Sequence, residues 1–256
     1  MSETPTSEPR TRWWQGRDIR IIFALWAVFT VLGVIFALIV PHRLMGTPAS
    51  NTMIEVERTF TVFSVAAAPV AAVVWALALF SLYRWRRRGD WTPQDPDGPP
   101  VRGHGWSTGL WMFGSSALCL FLLIWGLAAL TSVDSPANAS TPMVVDVTGQ
   151  QWVWTFTYPD NGNVESDQLY LPINRPVVFE VTSNDVIHSF WVPEMGIKVD
   201  ANPGSTTTTQ TTPDRLGTYH VKCAELCGLL HADMETNAHV VTTQAFDAWA
   251  ASQGAS

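Results

Sequence analysis

Charge is scarce in this chain. Asp, Glu, Lys and Arg make up 14% of its 256 residues, where about a quarter is usual for a globular protein, so part of the sequence is not built for water. A basic excess is missing too: the formal net charge is −7, which argues against nucleic acid as a partner. With 47% hydrophobic residues the composition is equally far from that of a disordered chain. Three cysteines are too few for a disulfide-built scaffold. No repeat or low-complexity tract is present beyond a short threonine run at residues 206–209.

What is present is unevenly spread. Up to Val133 there are 11 Lys and Arg against 8 Asp and Glu, a net of +3, and beyond it 4 against 14, a net of −10. The first part reads as a membrane domain with basic loops, and the second as an acidic water-exposed domain whose field favours a cationic partner. Three apolar runs, residues 19–40, 59–83 and 107–130, contain no charged residue beyond Arg20 at the edge of the first. Each is about 20 residues or longer, enough to cross a hydrocarbon core as a helix, and none keeps the polar stripe of a soluble helix. Pro69 in the second run is tolerable in a membrane, where neighbouring groups satisfy the freed carbonyl.

Arginine placement orients the spans. Arg10, Arg12, Arg17 and Arg20 stand at the start of the first run, and Arg84, Arg86, Arg87, Arg88 and Arg102 lie between the second and third. Both sides are expected to be cytoplasmic. The loop from 41 to 58 holds only Arg43 and Arg58. The expected organisation is a cytoplasmic segment 1–18, a membrane domain 19–133 with three spans, and an extracytoplasmic domain 134–256. A cleaved signal peptide is the alternative for the first run, with the small residues Thr47-Pro48-Ala49 beyond it. Against this, the run exceeds the usual apolar core of about 7–15 residues, and no cysteine precedes Cys119 to carry a lipid. Cys119, inside the third run, is expected to be a small buried apolar residue.

From Thr141 the pattern changes to short β-branched and aromatic stretches, at 144–148, 152–157, 177–182, 206–212, 218–221 and 239–242, bounded by turns such as Pro159-Asp160-Asn161-Gly162 and Asn202-Pro203-Gly204. These predict a small antiparallel sandwich or barrel. The chemistry is concentrated in Cys223-Ala-Glu225-Leu-Cys227-Gly-Leu-Leu-His231-Ala-Asp-Met234. Thiolate, imidazole and thioether form a soft donor set that favours copper. Cys227, His231 and Met234 have the spacing of a mononuclear electron-transfer site, to which His188 would add a second imidazole. Cys223 is one thiolate too many for that pattern, and two cysteines four apart can bridge a pair of copper ions. A Cys223–Cys227 disulfide, strained in so short a loop, and a Cys2His2 zinc cage are the competing readings, as is a His188 that only packs in the core.

The combination of His188-Ser-Phe-Trp-Val-Pro193, Lys198-Val-Asp200-Ala-Asn-Pro-Gly204, Gly149-Gln-Gln-Trp152-Val-Trp154 and the Tyr219 to Met234 stretch resembles subunit II of haem-copper cytochrome c oxidases, whose CuA centre sits in a cupredoxin domain. The resemblance runs over about residues 59–241. Together with the three apolar runs it predicts three transmembrane helices followed by an extracytoplasmic cupredoxin-like β-sandwich or barrel, in a multi-pass protein of the plasma membrane. It also implies a dinuclear CuA centre with His188 and His231 as terminal ligands, Cys223 and Cys227 as bridging thiolates, Met234 as a weak ligand and the Glu225 carbonyl in contact. The Glu225 carboxylate would help hold a divalent ion such as magnesium at the boundary with subunit I, and Asp200 would lie near that boundary. Trp152 resembles the residue through which cytochrome c, soluble or membrane-tethered, delivers its electron. Subunit I, other oxidase subunits and membrane lipid are the remaining partners implied.

Three features depart from the family. The run 19–40 is additional to its common two spans. The stretch from His104 to Trp111 lacks the glutamate many relatives carry at a proton-channel mouth, and Ser205 stands where an arginine often follows the Pro-Gly turn. The CuA subunit of a nitric oxide reductase, or a membrane-anchored copper chaperone or storage protein, would be the alternatives. His220 and His239 fall on expected strands and are read as surface or packing residues, and His42 and His104 as loop residues. Topology is directly testable: reporter fusions after Arg88 should be cytoplasmic and those after Ser140 external, and an external loop at residues 84–88 would overturn the orientation.

Overall fold

In a computed structural model the described residues are 16–84, 105–134 and 142–253. The expectations placed on residues 1–15, on Arg86, Arg87, Arg88 and Arg102, and on His104 fall outside them. The chain divides into two compact units, Met1–Ile39 with Val62–Ser115 and Val40–Thr61 with Ser116–Ser256.

Three helices are long and apolar enough to cross a membrane: α1 (Gly16–Leu44), α2 (Asn51–Arg84) and α3 (Gly105–Asp134). Each extends beyond its apolar run, because the flanking polar residues continue the helix past the point where hydrophobicity stops. His42, expected in a loop, therefore lies in the last turn of α1, where its Nδ1 is 3.3 Å from a Glu57 carboxylate oxygen. In the first unit α1 and α2 pack through small residues. Ala37, Ala68, Ala72 and Ala76 are buried, and a Cβ added at Gly33 would lie 3.1 Å from that of Ala68, the close backbone approach that small side chains permit in lipid. Pro69 is inside α2, and the Trp26 indole N–H donates to its carbonyl at 2.9 Å. Most large side chains of α3 are exposed, Trp111, Phe113, Leu123 and Ile124 among them, as suits a lipid-facing helix. Cys119 is exposed as well, contrary to the burial expected of it, because no described element covers its face of α3.

The second unit contains two five-stranded sheets packed face to face. One has the order β3 (Val164–Ser166), β2 (Val153–Tyr158), β1 (Met143–Gln150), β5 (Val177–Ser183), β8 (Thr207–Thr211). The other has β4 (Leu169–Pro172), β10 (Glu235–Val241), β9 (Gly217–Cys223), β6 (His188–Val192), β7 (Ile197–Ala201). Alternation places Met143, Val145 and Val147 of β1 and Val177, Phe179 and Val181 of β5 inside. The expected all-antiparallel arrangement needs correcting: β1 pairs with β5, and β4 with β10, in parallel. Strand propensity carries no direction, and the hairpins inserted between these partners return the chain in the same sense.

Phe190 of β6 is the hub between the sheets, with its ring centroid 5.7 Å from Trp154, 6.2 Å from Phe156 and 5.3 Å from Phe179. A C-terminal helix, α4 (Thr243–Gln253), closes one end of the sandwich by setting Trp249 on Tyr170 at 4.2 Å and on Tyr158 at 5.0 Å. Tyr158 is fully buried, and its hydroxyl accepts from the Tyr170 amide at 2.7 Å. Burial pushes its pKa up. Truncating Phe190 to alanine should cost about 3–5 kcal/mol in denaturant unfolding of this domain; a loss below about 1 kcal/mol would show that the sheets do not depend on that ring.

Candidate metal centre

The sheet containing β6 and β9 positions the donors. In its register Phe190 lies opposite Cys223, so His188, at the start of β6, comes to the same end of the sheet as the last residue of β9. The Cys223 amide donates to the Met234 carbonyl at 3.0 Å and the Ala224 amide to the Ser189 carbonyl at 2.9 Å. The loop between β9 and β10 is thereby pinned at both ends, and a short 3-10 turn at His231–Asp233 folds His231 back over it.

The side chains converge as the spacing suggested. Cys223 Sγ and Cys227 Sγ are 3.7 Å apart and not bonded to each other. His188 Nδ1 approaches Cys223 Sγ at 3.9 Å, and His231 Nδ1 approaches Cys227 Sγ at 3.6 Å. Met234 Sδ is 3.7 Å from Cys227 Sγ, and the Glu225 carbonyl oxygen is 3.2 Å from Cys223 Sγ. His188, Cys223 and Cys227 are buried and their donor atoms lie within 4.8 Å of one another. This is a pair of sulfurs flanked by one imidazole on each side, a soft set suited to copper and not to magnesium or calcium. Burial pushes the Cys227 thiol up to about 11, with the hydrogen bond from Cys223 and its charge adding to the effect. A metal that binds there must displace the Cys227 proton.

Two residues that the sequence reading did not single out hold this arrangement. Asp185 Oδ1 lies 2.8 Å from His188 Nε2, while its other oxygen accepts from the Gln151 amide at 2.8 Å. That contact leaves Nδ1 of His188 facing the sulfurs and sets the ring, as a carboxylate behind a metal-binding histidine does. Burial pushes the Asp185 carboxyl up, but the Gln151 amide, the His188 imidazole and the Val186 amide outweigh it and bring it down to about 2. Gln151 Nε2 donates to the Cys227 carbonyl at 2.7 Å, so the β1–β2 turn closes over the ligand loop. No spacing rule announces Gln151 or Asp185, because each acts on residues far away in sequence.

Glycine is required at two of these contacts. Gly228 has φ +126, and a Cβ there would lie 2.9 Å from Gln151 Nε2 and 3.3 Å from the Trp152 indole. A Cβ at Gly149 would meet the His188 ring at 3.0 Å. Trp152 is half-buried against Gly228, beside Cys227, whereas Trp154 is buried and meets the His188 ring edge-on at 6.0 Å. The Glu225 side chain and Asp200 are exposed. His220 faces Glu194 at 2.9 Å and His239 stacks on Tyr170 at 4.8 Å with Gln168 at 2.7 Å, both remote from the sulfurs along their strands. Burial lowers the pKa of His239.

Comparison with known proteins agrees with this geometry. The sequence model described as cytochrome c oxidase subunit II, periplasmic domain, matches residues 163–241. Cytochrome c oxidase subunit 2 of Thermostichus vulcanus is 30% identical over 259 residues, covering 81% of this chain and 78% of its own. The chain belongs to the cytochrome c oxidase subunit II family. The Synechocystis subunit 2 is 28% identical, with 82% and 76% covered. Among solved structures, the periplasmic domain of subunit II from Bradyrhizobium japonicum is 31% identical over 45% of this chain and 96% of that one, with a TM-score of 0.44. Residues 163–241 of the β-sandwich correspond to the periplasmic domain of a subunit II, and the three spans mark the chain as a membrane-inserted one.

Asp185→Asn should weaken copper binding about 10–100-fold in a chelator competition, and an unchanged affinity would make the aspartate incidental. Its pH signature has a definite sign. A carboxyl depressed from 3.8 to about 2 stabilises the fold fully above its ordinary value, and that contribution is lost as pH falls through about 2. The stability gap between wild-type and Asp185→Asn metal-free domain should therefore be open at neutral pH and closed in strong acid.

Proposed function

We propose that this chain takes single electrons from a cytochrome c outside the plasma membrane and passes them to haem in subunit I of a cytochrome c oxidase, where oxygen is reduced. The observation that supports this most directly is the symmetric donor set: two sulfurs 3.7 Å apart, each with an imidazole nitrogen 3.9 or 3.6 Å beyond it. Cys223 and Cys227 would bridge a copper pair, His188 and His231 would cap its two ends, and Met234 and the Glu225 carbonyl would complete it. Copper held there supplies one-electron redox shared through the sulfurs. The protein's part is to keep the donors fixed between two redox states, and burial, the pinned loop ends and the Asp185 contact all serve that rigidity.

Trp152 is the proposed point at which the electron arrives. Its indole lies over Gly228 next to Cys227, and Leu226 and Leu229 of the ligand loop and Val186 and Ile187 of the adjoining turn are exposed, giving an apolar contact area around it. The net −10 of the residues after Val133 attracts a basic donor from a distance, and the apolar area makes the final contact. The exposed Glu225 carboxylate would help hold a divalent ion such as magnesium against subunit I. Lipid surrounds the three spans, with α1 retained in the mature protein.

Copper-loaded protein should contain a pair of coppers per chain and give the delocalised mixed-valence signal in electron paramagnetic resonance. A four-line signal of isolated copper, or zinc alone, would sink the assignment, and Cys223→Ser should convert the site toward mononuclear copper. In the same preparation Trp152→Gln should leave that signal intact and slow reduction by cytochrome c by orders of magnitude. Added salt should weaken the encounter of the wild type.

A further inference from the structure

The external end of α2 does not simply emerge from the sandwich's neighbourhood; it is built into it. Ala49 and Ser50 are fully buried, and Thr52 and Met53 nearly so. The Ala49 amide donates to the Glu194 carbonyl at 2.8 Å, and its carbonyl accepts from the Asp214 amide at 3.1 Å. Ser50 forms an isolated antiparallel bridge with Pro213. Asn51 gives its amide to the Thr212 carbonyl at 3.3 Å and accepts the Thr212 amide on Oδ1 at 3.0 Å. The hydroxyls of Thr211 and Thr52, both buried, are 2.9 Å apart.

The Ser50 hydroxyl does two things at once. It accepts the Met53 amide at 3.1 Å, which caps the first turn of α2, and it donates to the Met195 carbonyl at 2.8 Å, which ties that turn to the sandwich. On the other side Gly196, with φ +65, comes so close that a Cβ would lie 2.8 Å from Met53 Cα. A surface loop that merely passed by would leave these backbone groups to water; here protein groups satisfy them.

The place of docking matters. Pro193–Met195 is the 3-10 turn that follows β6, and β6 begins at His188. The segment therefore holds one end of the strand whose other end presents a metal-facing imidazole, without touching any donor. We infer that residues 49–53 are a clamp that positions the copper domain for electron delivery to subunit I, with Ser50 as its positioning residue and Gly196 as its seat. The role rests on the electron-transfer reading above. It also requires an intact chain here, since cleavage after Ala49 would remove the two Ala49 bonds.

The test uses the full chain assembled with its partner subunit in membranes, as wild type, Ser50→Ala and Gly196→Ala. The first variant removes the shared hydroxyl, and the second drives a methyl into the Met53 backbone, so the clamp is opened from either face. Hydrogen exchange at the Ala49 and Asp214 amides should quicken about tenfold or more in both. The copper spectrum and the rate of reduction by cytochrome c should match wild type, while electron delivery to subunit I slows about tenfold. Unchanged exchange, or faster exchange with unchanged delivery, would overturn the clamp, and so would loss of the copper spectrum in both variants, which would make the segment a general fold element. Failure of the wild type to accept electrons from cytochrome c would instead overturn the functional reading itself, before any variant is compared.

Discussion

Strand β6 pairs with β9 so that Phe190 stands opposite Cys223, and the chemistry of the site depends on that register. His188 and Cys223 are 35 residues apart in sequence, and only this pairing brings the imidazole nitrogen within 3.9 Å of the sulfur. Strand side chains alternate between faces, so a slip of one residue would turn His188 away from the sulfurs and Phe190 out of the core together. The apolar core therefore fixes where the imidazole stands: Phe190, wedged among Trp154, Phe156 and Phe179, penalises any register that would misplace His188 two residues before it.

Burying a soft donor set has an electrostatic cost, and its consequences run through the surroundings. Low-dielectric surroundings push the Cys227 thiol up, so its thiolate is favoured there only when a cation compensates the charge. Asp185 stands behind the donors and meets His188 Nε2, on the side of the ring away from the sulfurs. Its charge orients the His188 ring and also adds to the upward push on the Cys227 thiol. Gln151 couples the same turn to both parts, donating its amide to Asp185 and its side chain to the Cys227 carbonyl. Three loops from two sheets are locked to each other by side-chain bonds at the point where a redox site needs least movement.

Much of this was legible in the sequence because it lies in local patterns. The three spans follow from run length, and the Cys223–Met234 spacing predicted donors that the fold does bring together. What was not legible depends on distant partners. Strands β6 and β7 were hidden inside a motif read for its chemistry, β3 and β4 are too short to show a period, and α4 carries only the sparse apolar pair Phe246 and Trp249 on a polar ground. Parallel pairing of β1 with β5 has no propensity signature at all. Asp185 belongs to the site only because the β5–β6 turn folds back on the histidine three residues ahead, and Ser50, just after the small residues Thr47-Pro48-Ala49 of the signal-peptide alternative, is fully buried.

That last residue changes the mechanical picture of the domain. A domain joined to its anchor only through a linker samples orientations, and electron transfer over a fixed path suffers when the path length fluctuates. Here the chain meets the sandwich at residues 49–53. The hydrogen-bonded first turn of α2 bears on the turn after β6, and the metal-facing histidine stands at that strand's other end. A strand paired on both sides is stiffer than a loop, since bending it would break ladder bonds to both neighbours. In β6 those neighbours are β7 and β9. The same strand thus carries His188 at one end and at the other meets the first turn of α2.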